Sequence, residues 1–145
     1  MDSDIVRVPV INRTFCGIDA SLTSTGFCLK TGNEIKTDTI KTKPDKFKND
    51  LDRLKYIAAE IMKRIPRDTA MVCLEDVFVA FSAAQVNSSI SLSRLATTVR
   101  LSLYDSGLPF LVVAPTSLKK FVLGKGTGEK DLILMEVYKK YGISA

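Results

Sequence analysis

Two apolar runs of strand length end on carboxylates: Phe15-Cys16-Gly17-Ile18 on Asp19, and Ala70-Met71-Val72-Cys73-Leu74 on Glu75 and Asp76. A carboxylate at the end of a buried strand stays ionised only where a metal ion, a cation or several donors hold it. Asp19 therefore has two readings, a cap for the Ser/Thr/Gly turn that follows it or a metal ligand. Glu75 bears on the choice. If the two strand ends lie side by side, the carboxylates repel one another, and a divalent cation between them relieves the cost. Magnesium keeps water or phosphate oxygens in its shell, which suits hydrolysis of a phosphodiester. A pair of such ions would activate the attacking water and stabilise the leaving oxygen.

Basic residues follow. Lys119 and Lys120 sit just after Pro115-Thr116, and Lys125 and Lys130 flank the run Gly124-Lys125-Gly126-Thr127-Gly128. That run lacks the Gly-Lys-Ser/Thr ending of a phosphate loop and follows a helical stretch, so it reads as a basic loop making point contacts with a sugar-phosphate backbone. A solvated lysine-rich surface is the bland alternative. Phe78, three residues beyond Glu75, is either tucked under the core or is a wedge stacking on an unpaired base. The chain contains no histidine, which excludes His-based triads, His-ligated zinc and His general bases.

These side chains need a frame. The pattern predicts strands at 14–19, 25–31 and 34–40, with Thr31-Gly32-Asn33 as a tight turn, giving an antiparallel meander. Residues 49–65 place Leu51, Leu54, Ala58, Ile61, Met62 and Ile65 at helical steps, ending at Pro66. A fourth strand, 70–74, is continuously apolar, as buried parallel strands are. A long helix at 85–104 carries Val86, Ile90, Leu95, Val99 and Leu103 among Ser and Thr. A fifth strand at 108–113, a short helix from Pro115 and a last helix at 129–141, with Leu132, Met135 and Tyr138 on one face, complete the order. The expectation is an α/β fold with a mixed five-stranded sheet, the first strand central and helices on both faces. Residues 1–12 read as a flexible arm and 13–145 as one domain.

The 145 residues, 46% apolar and 26% charged, suit one globular core. The formal charge of +5 is uneven: residues 41–67 hold nine Lys/Arg against four Asp/Glu, and residues 68–110 hold two against four. Basic flanks around an acidic centre suit a polyanion gripped at its edges. Cys16, Cys28 and Cys73 lie in strand-like runs without metal-ligand spacing and read as reduced core thiols of a cytoplasmic protein. No stretch has the length of a signal peptide or a membrane span.

Gly17-Ile18-Asp19 with Thr25-Gly26, Leu74-Glu75-Asp76-Val77-Phe78, and Pro115-Thr116 through Lys119, Gly124-Lys125-Gly126 and Lys130 together resemble the RuvC-like Holliday junction resolvases of the RNase H-like superfamily, phage relatives included. The match runs from Phe15 nearly to the end. The resemblance implies a homodimeric endonuclease that cuts four-way DNA junctions with two magnesium ions per site, manganese being a possible substitute. It makes Asp19 and Glu75 the metal-binding catalytic carboxylates and places Lys119 and Lys130 beside the scissile phosphate. Phe78, Lys119, Lys120, Lys125 and Lys130 become DNA contacts, with helix 85–104 in the dimer interface and a bacterial or phage-infected cytoplasm as the setting. In one respect the chain departs from the pattern. The family completes its site with two acidic residues on a helix just past the position of Ala145, so the expectation is a domain truncated at its C-terminus. Rival readings are a nuclease for flapped DNA or RNA–DNA hybrids and a non-catalytic junction-binding module. An actin-like ATPase is disfavoured because that fold wraps two such domains around its nucleotide.

Overall fold

Alternation of buried and open positions makes Thr14–Asp19 strand β1, with Cys16 and Ile18 on one face and Phe15, Gly17 and Asp19 on the other. It pairs antiparallel with β2 (Ser24–Thr31), which pairs antiparallel with β3 (Glu34–Lys41). Thr31 and Glu34 are register partners across the two-residue turn Gly32-Asn33. Gly32 there takes a φ of +59°, a region that favours glycine. On its other side β1 pairs parallel with β4 (Met71–Glu75), and β4 with β5 (Phe110–Val113). The sheet order is β3-β2-β1-β4-β5, with β1 central as its pattern predicts. The computed structural model describes residues 12–77 and 82–142, so nearly all of the 1–12 arm and the aromatic Phe78 lie outside the described residues.

Helix α1 (Asp50–Arg64) starts where the Asn49 side chain accepts the Asp52 N–H at 2.9 Å. Helix α2 (Ala83–Ser106) ends at Gly107 in the left-handed conformation. Both cover the Cys16/Ile18 face, and the core is built there from Ile57 and Ile61 of α1, Leu95, Val99 and Leu103 of α2, and Val72 and Leu74 of β4. Helices α3 (Pro115–Leu123) and α4 (Lys130–Tyr141) lie over the opposite face. Leu118, Leu134 and Val137 share a cleft there with Gly17, Cys28 and Cys73.

The structure corrects several expectations. Leu51, expected on the apolar face of α1, is 71% exposed, and the buried stripe instead runs through Arg53, Leu54, Ile57, Ala58 and Ile61. Val86 and Ile90 at the start of α2 are exposed, whereas Leu95, Val99 and Leu103 are buried. On α4, Leu132, Met135 and Tyr138 are exposed, and it is Val137 and the still 36% exposed Leu134 that line the cleft against the sheet. Of the three free thiols only Cys16 belongs to the core, where burial pushes it up to about 12; Cys28 and Cys73 line the cleft on the other face. A thiol with so high a pKa is almost entirely protonated at neutral pH and a poor nucleophile.

Candidate active site at the strand ends

β1 and β4 run parallel with Ile18 opposite Leu74, so one step further along both strands brings Asp19 and Glu75 side by side at the sheet's carboxyl end. Their positions follow from the pleat. Both belong to the set of residues facing away from the Cys16/Ile18 core. Asp19 and Glu75 line a cleft of about 450 Å³ together with Pro115, Thr116 and Lys119 of α3. They also border a second, larger cleft beneath α3 and α4, about 610 Å³ in volume. That space exists partly because Gly17, register partner of both Cys28 and Cys73, has nothing within 4 Å of where a Cβ would stand.

Burial is the main cause that raises the Glu75 carboxyl above its ordinary value, the negative charge of Asp19 adds to it, and the Lys119 ammonium opposes it. Raised by burial and repulsion, Glu75 binds its proton more tightly in the folded protein than in the unfolded chain. The contribution of Glu75 to native stability is accordingly greatest below the ordinary value of 4.5 and is lost as pH rises through the raised folded value. Glu75→Gln removes that loss. In metal-free protein the variant should be more stable than the parent at about pH 7.5, with the difference closing below about pH 4.5. Urea unfolding in chelator at the two pH values checks this, and a gap that does not change with pH would contradict it.

The turn after Asp19 is closed without help from its carboxylate. The Thr25 hydroxyl, fully buried, donates to Ser21 O at 2.7 Å and accepts the Ser21 N–H at 3.2 Å. Among the described residues no hydrogen bond reaches the Asp19 carboxylate, so the capping role belongs to Thr25 and the charge of Asp19 is left for another use. Behind Thr25 the turn has a second brace. The buried Arg53 donates from Nε to Thr42 Oγ1 at 2.9 Å and from Nη2 to Leu22 O at 2.8 Å, and the Thr42 hydroxyl donates to the same carbonyl. Sequence reading missed Arg53 because a cation within an amphipathic stretch is ordinarily assigned to the wet face. It also missed the Arg100–Asp76 pair, 3.1 Å long, which ties the residue after Glu75 to α2.

Of the expected site lysines, only Lys119 enters the carboxylate cleft. Lys120, Lys125 and Lys130 are exposed and line neither cleft. The Gly124–Gly128 segment nevertheless stays near it: a Cβ at Gly126 would sit 3.7 Å from Thr116 O, so the loop holding Lys125 lies against a residue of that cleft. Among the described residues no group of three or more His, Cys, Asp and Glu is placed to hold a metal ion. The donor set on view is thus a pair of hard oxygen ligands. Its chemistry fits magnesium, since a cation beside Glu75 would offset both the repulsion from Asp19 and the cost of burial.

A family model for the crossover junction endodeoxyribonuclease RuvC matches residues 15–143. The chain belongs to the RuvC family. It is accordingly an enzyme of the crossover junction endodeoxyribonuclease class, a hydrolase of DNA. The structure of Thermus thermophilus RuvC superposes with a TM-score of 0.70 at 18% identity, covering 91% of this chain and 82% of that one. T. thermophilus RuvC in complex with a Holliday junction substrate gives the same score at 16% identity, covering 92% and 81%. At such identities these two likenesses speak for the fold, a RuvC-type RNase H-like sheet. No curated protein matches the chain by sequence. The residues that line the carboxylate cleft, from Asp19 to Lys119, all fall inside the RuvC match.

Proposed function

We propose that the chain resolves four-way DNA junctions as a magnesium-dependent homodimer, two ions per site, with Asp19 and Glu75 as ligands and Lys119 as the cation beside the scissile phosphate. The observation that carries the reading is the convergence of those three groups, at the ends of β1 and β4 and midway along α3, in a RuvC family chain. Magnesium held there supplies Lewis-acid activation of water and neutralises charge at the phosphate.

The chain's own residues do the rest. Asp19 and Glu75 stand on a rigid sheet, which fixes where a phosphodiester must lie to react. Lys119 brings an ammonium into the same cleft, where it favours the added negative charge of a phosphorane-like transition state over the ground state. Phe78 follows Glu75 by three residues in sequence, and in this reading its ring stacks on a base unpaired at the crossing point. Lys120, Lys125 and Lys130 give exposed positive charge for the flanking backbone, contacts that position DNA without reading its sequence.

Support for a dimer comes from α2. Val86 and Ile90 are exposed although apolar, and with Leu51 of α1 they line an apolar groove of about 680 Å³. A two-fold protein fits a two-fold substrate and sets two sites on opposed strands. No helix among the described residues is long and apolar enough to cross a membrane.

The deciding experiment is a competition among a synthetic four-way junction, a flap, plain duplex and an RNA–DNA hybrid, with magnesium or with chelator. Symmetric nicking of the junction in magnesium alone is the expected result, from a species that sediments as a dimer. Preference for the flap or the hybrid would move the enzyme to the rival substrates.

A further inference from the structure

We propose that the loop Lys41–Lys48, with Tyr56 beneath it, is a second DNA-phosphate site on the opposite flank of the carboxylates from α3. The inference rests on the junction-nuclease reading for its ligand and goes beyond it in assigning a part of the surface that the cleft at Asp19 and Glu75 does not use.

Charge is the first observation. The eight residues Lys41-Thr42-Lys43-Pro44-Asp45-Lys46-Phe47-Lys48 hold four lysines and one acid. All four lysines are exposed, and none has an ion-pair partner among the described residues. On the neighbouring helix the arrangement differs: Arg64 is paired with both Asp38 and Glu60, and Lys63 with Glu60. A solvated face generally interleaves its charges in that second way. An unpaired run of one sign raises the local positive potential and gathers polyanions.

Rigidity is the second. A loop that merely carries solvated lysines has no need of a buried anchor, and this one has Thr42. Thr42 is buried between exposed Lys41 and Lys43, its N–H donates to Thr23 O at 3.1 Å, and its hydroxyl accepts from the buried Arg53. Pro44 then opens a short 3₁₀ turn to Lys46. Phe47 follows and packs on Tyr56, their ring centroids 5.4 Å apart and their planes tilted by 55°. Lys41, Lys43, Lys46, Phe47 and Tyr56 thereby surround a cleft of about 700 Å³. Holding three ammonium groups around one hollow lowers the ordering cost that flexible lysines otherwise meet on binding. Tyr56, still 44% exposed, offers a ring face to the sugar or base behind the phosphate.

Placement is the third. Lys41 ends β3 opposite Ser24, and Asp19 ends β1 opposite Gly26, so the loop rises from the same end of the sheet as the carboxylates. β3 stands two strands from β1 on one side, and α3 with Lys119 follows β5 two strands away on the other. Two strand spacings amount to about 10 Å. One DNA strand advances about 3.4 Å along its axis per nucleotide, so the loop meets the backbone about three nucleotides from the bond over Asp19 and Glu75. The ligand is the sugar-phosphate backbone of the cleaved strand, held without base reading.

The test is the triple variant Lys41→Ala, Lys43→Ala, Lys46→Ala in the full chain, with Lys36→Ala further back on β3 as the control. Binding to a synthetic junction and to plain duplex is titrated in chelator from about 50 to about 200 mM salt. Each phosphate contact contributes about 0.9 to the slope of log affinity against log salt, so the triple variant should lower it by about 2.7 and weaken low-salt binding at least about tenfold. Its cleavage rate at saturating DNA should stay that of the parent, the loss falling on KM, and Lys36→Ala should leave the slope as it was. An unchanged slope in the triple variant overturns the site. If the parent binds duplex as tightly as the junction, the junction reading fails, and the lysine site is then judged by the slope on duplex. A parent that binds neither DNA overturns both.

Discussion

Asp19→Asn is expected to lower magnesium-dependent cleavage of a four-way junction by about a thousandfold or more, a loss of about 4 kcal/mol of transition-state stabilisation. The amide keeps the size of the side chain and its place at the end of β1, and removes only the charge. Nothing in the fold depends on that charge, because the following turn is held by Thr25, Ser21, Thr42 and Arg53. Stability should therefore hold, or rise slightly at neutral pH as the repulsion on Glu75 is lifted, and chelated binding of the junction should persist or tighten slightly, since one negative charge facing phosphate has gone. Single-turnover cleavage and equilibrium binding on the same preparation separate the two effects. A variant that cuts as fast as its parent would remove Asp19 from the chemistry. One that unfolds would return it to a structural role.

Glu75→Gln should behave similarly in cleavage but differently in stability, because burial and its neighbour's charge set Glu75 apart. The contrast bears on how the pair divides its work. Glu75, partly buried and opposed by Asp19, gains most from a bound cation, so added magnesium should stabilise the parent protein and should do so far less in either variant.

The strands were legible because their signals are local. Six residues alternating from Thr14 to Asp19 and a Gly-Asn turn state a register by themselves, and the continuous apolar run ending at Glu75 states a buried parallel neighbour. The carboxylate pair followed from those ends. Helix faces were harder to assign. The apolar spacing admits Leu51 to the stripe of α1, yet Leu51 lies beyond the reach of the sheet and is solvent-exposed, while Arg53 goes inside. Periodicity counts apolar residues and cannot see that the carbonyl of Leu22 and the hydroxyl of Thr42 await a donor below the helix. On α4, Leu132, Met135 and Tyr138 make as good a stripe as Leu134 and Val137, and only the placement of α3 decides which of them turns inward. The cysteines show the same limit. Alternation puts Cys16 on one face and Cys28 and Cys73 on the other, but only the tertiary structure tells which face is core.

Arg53 is where a missed residue has the largest consequence. The residue is 7% exposed, and its guanidinium makes two hydrogen bonds, to Thr42 Oγ1 and to Leu22 O, on segments that sit more than ten residues apart in sequence. Arg53→Ala removes two charge-assisted hydrogen bonds at about 1.5 to 3 kcal/mol each, leaving Leu22 O to the Thr42 hydroxyl alone and Thr42 Oγ1 without a donor, and opens a void beneath α1. The expected destabilisation is about 3 kcal/mol or more, measured by urea unfolding. Arg53→Lys should rescue little of it, because one ammonium cannot reproduce the planar fork that reaches two acceptors at once. The function should suffer as well. Leu22 lies in the turn that leaves Asp19 and Thr42 anchors the lysine loop, so loss of the brace loosens both the carboxylate end of β1 and the basic flank beside it. Thr42→Val removes one acceptor and leaves the carbonyl bond in place. If the brace is one unit, the double variant should cost less than the two single changes together. Strict additivity, or a loss below about 1 kcal/mol for Arg53→Ala, would mean that the turn after Asp19 holds itself.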